Sequence, residues 1–154
     1  MGLDDTDRLI LDALTADGRM SMRTLAETLH ISRANAYARV ARLQQTGVIR
    51  GFHADVDPVA AGLTTAAYVT VNLHQADWRE VLGRLRALPG VVHIGLVGGD
   101  FDVILLVRVA DNTELRRLVL DEIQGMPGVN STRTLLLFEE STPVRRVERH
   151  GADD

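Results

Sequence analysis

Residues 21–43 read SMRTLAETLHISRANAYARVARL, and the placement of apolar side chains in this run decides the fold of the first third of the chain. Leu25, Ala26 and Leu29 form one stripe at helical spacing, and Ala36, Val40 and Leu43 form another. Ser21 and Ser32 stand just before the two stripes, where a hydroxyl can accept from the unpaired N–H groups of a first helical turn. Upstream, Leu9, Ile10, Ala13 and Leu14 make a third stripe. Asp4, Asp5 and Asp7 precede it and complement a helix dipole, and Gly18 follows its end. Gly47 can stop the last helix. Three helices are therefore expected in residues 1–50. The second and third, joined by His30-Ile31-Ser32, form a helix-turn-helix. His30 stands where a Gly would be most comfortable, although His enters the left-handed region more readily than most residues.

Downstream of this unit the periodicity shortens. Residues 48–56 read as a strand, with Phe52, Ala54 and Val56 alternating, closed by Pro58 and Gly62. From Thr64 strands are expected at 67–73, 91–97, 103–109 and 130–138, with helices at 78–88 and 114–124. The order is βαββαβ. An internal echo supports it, since helix, Leu88-Pro89-Gly90-Val91, strand recurs as helix, Met126-Pro127-Gly128-Val129, strand. The fold class is α+β: a helix-turn-helix domain at 1–50, a strand linker at 51–63, a ferredoxin-like sandwich at 64–141 and a polar tail, mobile at its end, at 142–154.

The net charge of −4 carries no global signal for nucleic acid, but its distribution does. Every basic residue is Arg. Residues 19–50 hold Arg19, Arg23, Arg33, Arg39, Arg42 and Arg50 against Glu27 alone, a local +5, whereas residues 1–18 carry five Asp against Arg8. A basic segment is embedded in an acidic chain. The absence of Cys excludes a disulfide framework and thiolate ligation, and favours a cytoplasmic protein. No signal peptide or membrane anchor is expected, because the first residues are acidic and no apolar run approaches membrane-spanning length.

With Ala36, Val40 and Leu43 turned inward, the start of the third helix offers Arg33, Ala34, Tyr37 and Ala38 outward. Asn35 lies at the edge and Arg39 and Arg42 flank the exposed side. Those side chains suit a major groove: Arg33 can fork onto guanine or phosphate, Asn35 can pair with adenine or cap the helix, and the two Ala permit close approach. Ser32 belongs to the same helix start. The N–H of Thr24 and its neighbours, with the Arg23 side chain, are placed to grip phosphate. The alternative is a three-helix docking module with an Arg-rich solvated face, attached to a metabolic sensor or small ferredoxin-like enzyme. Tyr37 could equally pack against the first helix.

In the second half, Gly98-Gly99-Asp100-Phe101-Asp102 separates two expected strands. Its backbone N–H groups can receive an α-carboxylate, while Asp100 or Asp102 can accept from an α-ammonium. The same residues also suit an ordinary hairpin turn. The five His show no metal-ligand spacing, no nucleophile elbow or phosphate loop is present, and Trp78 reads as a packing anchor. Neither a metal site nor catalysis is expected.

The run Leu25-Ala26, Ile31-Ser32, Arg39-Val40, Arg42-Leu43, Gly47-Val48-Ile49-Arg50-Gly51-Phe52 resembles the DNA-binding half of the Lrp/AsnC (feast/famine) transcriptional regulators. Gly99-Asp100-Phe101-Asp102 and Pro127-Gly128-Val129-Asn130, Thr132-Arg133-Thr134, Glu139-Glu140 resemble that family's ligand-binding half. The likeness spans residues 3–140. It implies double-stranded DNA as partner, a homodimer assembling further to octamers, and a small effector, mostly an amino acid, bound at an interface between dimers. Carried over residue by residue, the effector site would draw on Gly99, Asp100 and Asp102 with Thr132 and Thr134. Gly98 stands where the family commonly has Ser or Thr, and Ser131 where a leucine-responsive member carries an Asp. An amino acid is therefore expected as effector, but not leucine in particular. A four-stranded sheet with helices on one side would also leave a face for a second subunit, and a two-fold dimer would present two recognition helices to a pseudo-palindromic operator.

Overall fold

The computed structural model describes residues 2–74 and 78–140. The chain divides into two compact units between Asp55 and Val56. The first unit holds α1 (Asp5–Ala16), α2 (Met22–Thr28) and α3 (Arg33–Gln45). Their stripes meet in a core of Ile10, Leu14, Leu25, Ala26, Ala36, Val40 and Leu43, with Leu3, Leu29, Ile31 and Ile49 packed around it. Each helix begins on a side-chain cap. Asp4 accepts from the Asp7 N–H at 2.8 Å, and the Asp4 N–H donates back to Asp7 Oδ2 at 3.2 Å, a capping box built from two Asp. Ser21 accepts from the Thr24 N–H at 3.0 Å and Ser32 from the Asn35 N–H at 3.1 Å. The turn between α2 and α3 closes through the Ile31 N–H on the Ala26 carbonyl at 3.0 Å, with His30 in the left-handed region at φ 53°.

The expected strand at 48–56 does not form. A strand exists only where another runs beside it to pair its N–H and C=O groups. Among the described residues none does, and Phe52, Ala54 and Val56 are all exposed, so the alternation buries nothing.

The second unit is β1 (Thr65–Leu73), α4 (Trp78–Ala87), β2 (Val91–Leu96), β3 (Val103–Val109), α5 (Asn112–Arg117) and β4 (Val129–Leu137). The strands form one antiparallel sheet in the order β2-β3-β1-β4, which is the ferredoxin-like arrangement. Ala67, Val69 and Val71 of β1 and the four Val and Leu of alternate β3 positions are buried under Val81, Leu82, Leu85, Leu115, Leu118 and Ile123 from the helices. The second helix departs from the expected regular helix at 114–124. It is α-helical only to Arg117 and continues as a π-helical turn over Leu118–Ile123, closed by the Gln124 N–H on the Val119 carbonyl at 2.9 Å. Widening this turn leaves Leu118, Val119 and Ile123 buried, so apolar spacing alone does not reveal it. Both Pro-Gly pairs end a helix as the echo predicts, with Gly90 at φ 87° and Gly128 at φ 93°. The tail expected at 142–154 lies outside the described residues.

Candidate functional site

Burial of Ala36, Val40 and Leu43 against the first unit's core leaves Arg33, Ala34, Asn35, Tyr37 and Ala38 exposed at the start of α3. Tyr37 is 56% exposed and does not belong to the first unit's core cluster. Ser32 serves as the cap, which removes capping from the roles open to Asn35. The Asn35 side-chain oxygen instead accepts from Arg39 Nε at 2.9 Å. On α2, the Thr24 N–H is already taken by Ser21, and Arg23 makes an exposed pair with Glu27 at 2.9 Å, a contact that water and phosphate can readily replace.

Arg39 and Arg42 have a role that the sequence reading does not assign. Arg39 Nη1 donates to Asp4 Oδ2 at 2.7 Å and to Asp7 Oδ1 at 2.8 Å, and Arg42 Nη2 donates to both oxygens of Asp7 at 2.6 Å. Asp7 is buried, and a buried carboxylate without such partners would be strongly unfavourable. The Arg42 hydrogen bond, opposed by burial and helped by Arg39, holds the Asp7 carboxyl well below the usual range. Arg39 lowers Asp4 in the same way. The two guanidinium groups thus tie α3 to the start of α1.

In the second unit, Gly98, Gly99 and Asp100 form the exposed reversal between β2 and β3. Gly99 has φ 132°. The reversal is closed by the Val97 N–H on the Asp102 carbonyl at 3.0 Å, while the Asp102 N–H donates to the Val71 carbonyl at 3.1 Å. Asp102 Oδ2 accepts from the Leu73 N–H at 2.7 Å. Beside the reversal lies an open cleft of about 410 Å³ lined by Leu73, Trp78, Leu96, Val97 and Asp102. Trp78, read from sequence only as a packing anchor, lines this cleft as well as touching the core.

The remaining effector candidates lie elsewhere within the single chain. Thr132 Oγ1 accepts from Gln124 Nε2, at the end of the π-helical turn, at 2.7 Å. Thr134 borders a separate apolar groove with Leu115, Val119 and Leu136. Ser131 faces away from the helices, where Asn72 Nδ2 donates to its hydroxyl at 3.2 Å. Among the described residues no helix is long and apolar enough to cross a membrane.

Residues 3–50 match the winged helix-turn-helix DNA-binding family, and residues 66–147, more than half of the chain, match the Lrp/AsnC ligand binding domain. The chain belongs to the Lrp/AsnC family. This Lrp/AsnC chain is 39% identical over 140 residues to the HTH-type transcriptional regulator AldR of Mycolicibacterium smegmatis, a match covering 89% of this chain and 82% of that protein. It is 38% identical to AldR of Mycobacterium tuberculosis over 89% of this chain and 78% of that one. Escherichia coli AsnC superposes with a TM-score of 0.84 at 26% identity, covering 95% of this chain and 97% of its own. A Neisseria meningitidis transcriptional regulator, solved as a complex with L-Met, gives 0.84 at 26% identity over 92% and 93% of the two chains. The Lrp/AsnC protein is thus a DNA-binding transcriptional regulator with a ligand-binding domain for a small molecule, and not an enzyme. The reading as a sensor or enzyme with a mere docking module is set aside.

Proposed function

We propose that this cytoplasmic regulator reads a pseudo-palindromic operator with α3, and that an amino acid bound beside the β2–β3 reversal alters its assembly or its DNA affinity. The exposed start of α3 carries the first part of this reading. Arg33, Ala34, Asn35, Tyr37 and Ala38 line a solvent-facing surface behind a capped helix end, the geometry in which a recognition helix meets base edges. Arg23 and the first N–H groups of α2 take phosphate, with Thr24 and Ser32 fixing the two helix starts. Arg39 and Arg42 contribute chiefly by holding α3 at its angle to α1.

The sheet supports the homodimer. On its helix-free face, Leu106, Tyr68 and Leu135 lie directly opposite one another across β3, β1 and β4, with His93 next to Leu106. A second copy covers this row and brings two α3 helices to half-sites one helical turn, or a multiple of it, apart. Dimers assemble further to an octamer. The effector is held by Gly98, Gly99, Asp100 and Asp102 of one chain. Because Thr132 and Thr134 lie outside that cleft, on the helix side of β4, they act from a neighbouring dimer, whereas Ser131 lies on the opposite face and does not share their site. A neighbour solved with L-Met supports an amino acid as the ligand class. An effector bound at such an interface shifts assembly by its differential affinity for the two states.

The test is a gel-shift titration of the protein on the DNA upstream of its own gene, at several salt concentrations, paired with sedimentation with and without amino acids. A shift that survives excess unrelated DNA, weakens with salt and moves with an amino acid is expected. Equal competition by unrelated DNA would overturn the operator reading. Sedimentation and binding curves indifferent to every amino acid would overturn the effector reading.

A further inference from the structure

The cleft beside the β2–β3 reversal is asymmetric in chemistry. Leu73, Trp78, Leu96 and Val97 give it carbon walls, and among the described residues Asp102 is the one charged group that lines it. Asp102 is fixed rather than free to swing, because its Oδ2 accepts from the Leu73 N–H at 2.7 Å. Its other oxygen has no partner among the described residues. Trp78 is fixed too: its indole is partly buried against the second unit's core, and the Arg79 guanidinium carbon lies 4.5 Å from the ring centroid. A rigid indole and a rigid carboxylate therefore border one space of about 410 Å³, within the usual range for small-molecule sites.

We propose that Trp78 determines effector specificity, so that the cleft selects free amino acids with large apolar side chains. The inference rests on the amino-acid reading above and adds the class of side chain. The ligand's ammonium sits on Asp102, its carboxylate takes N–H groups of the 98–100 reversal, and its side chain fills the space against Trp78, Leu73, Leu96 and Val97. Among the described residues no charged group besides Asp102 lines the cleft, so a charged side chain would give up water there without a second partner, which is unfavourable. A small side chain would leave the indole wet. Each buried methylene strengthens binding several-fold, so Phe, Leu and Met should bind about tenfold or more tighter than Ala.

Trp78 is the sole Trp of the chain, so its emission reports occupancy of this cleft directly. The experiment titrates the full-length protein with L-Phe, L-Leu, L-Met, L-Ala, L-Asp and L-Lys, following indole emission and binding heat together. Saturable emission changes with the three large apolar amino acids, and weaker binding of the other three, are expected. Calorimetry on Trp78→Phe should retain the apolar preference, and on Trp78→Ala should bring Leu and Ala within about threefold of each other. Operator binding by both variants verifies folding. Preference for Asp or Lys, binding heat without an emission change, or unaltered selectivity in Trp78→Ala would each overturn the specificity assignment while leaving an amino-acid effector standing. Absence of both binding heat and emission change with all six would overturn the specificity assignment, and the same absence with all twenty amino acids would overturn the amino-acid effector as well.

Discussion

Arg42 Nη2 donates to both carboxylate oxygens of Asp7 at 2.6 Å, joining the last turn of α3 to the first turn of α1 across 35 residues of chain. Arg39 adds a second donor to Asp7 and reaches Asp4 as well. The orientation of α3 therefore depends on two acids of the α1 start, of which Asp4 borders the same surface depression as Asn35 and Ala38.

That relationship makes the first unit sensitive to acid. Asp7 and Asp4 titrate below the value for Asp in an unfolded chain, about 3.9. Their stabilisation is thus complete above that value and is lost as pH falls through it toward the folded values. The melting temperature of the first unit should fall between about pH 4 and pH 2. In Asp7→Asn the neutral-pH value should be lower and the acid decline shallower. Calorimetric melts across pH check both, and an undiminished acid decline in Asp7→Asn would remove the carboxylate from this role.

Ser32 closes the other end of the same helix. Ser32→Ala removes the hydroxyl that accepts from the Asn35 N–H and should cost about 1 kcal/mol, whereas Ser32→Gly should cost a few tenths. Urea titration of the full chain, followed by far-UV circular dichroism, resolves the difference. Operator affinity should fall with Ser32→Ala, since the frayed turn carries Arg33, Ala34 and Asn35.

Arg33 and Arg42 separate contact from support. Arg33 is exposed, and no ion pair engages it among the described residues. Arg33→Ala should leave the melting temperature unchanged and weaken operator binding by about 1–3 kcal/mol if it forks onto a base, roughly 5- to 150-fold. Arg42→Ala should lower the melting temperature by leaving buried Asp7 without its principal partner. Fluorescence anisotropy on labelled operator, set beside thermal melts, distinguishes the two. Equal melting temperatures for the variants would argue against the supporting role of Arg42.

These contrasts follow what a sequence can carry. Caps at Ser21 and Ser32, the stops at Gly47 and Gly90, and the βαββαβ order are encoded within a few residues of where they act, so they were legible. The Asp7–Arg42 pair was not, because acids ahead of a helix read first as dipole complement and nothing local names an Arg 35 residues away. The strand at 48–56 failed for a related reason: alternation describes faces, while a strand also needs a neighbour. At the β2–β3 reversal, sequence named Gly98, Gly99, Asp100 and Asp102 but not the cleft beside them, since Leu73, Trp78 and Leu96 come from three separate elements and meet only after folding.

Two glycines of the second unit should respond unequally to the same change. A Cβ at Gly90 would lie 3.0 Å from the Arg108 carbonyl oxygen and 3.0 Å from Val109 Cγ1, on a backbone with φ 87°. Gly90→Ala should therefore cost about 1–3 kcal/mol in left-handed strain, with the close contacts adding to it. A Cβ at Gly98 meets nothing within 4 Å, so Gly98→Ala should leave stability unchanged. Denaturant midpoints of the two variants give the comparison, and a tolerated Gly90→Ala would mean that β3 can shift to make room.

The helix-free face of the sheet gives the last expectation. Leu106, Tyr68 and Leu135 form its central cross-strand row, and Leu135 is 51% exposed in the single chain. An antiparallel sheet can keep one face in water, but such a face is normally polar. An apolar row at its centre is instead suited to burial against an identical row on a second copy. Leu106→Glu places a carboxylate in that row without touching the buried Leu105 and Val107 on the other side of β3. Desolvating two like charges across a two-fold interface is unfavourable, so the variant should sediment as a monomer at concentrations where the parent is dimeric. It should keep its far-UV spectrum and lose operator affinity, because a monomer offers one α3 helix to one half-site. A dimer that persists in Leu106→Glu, with unchanged operator binding, would move the interface to another surface.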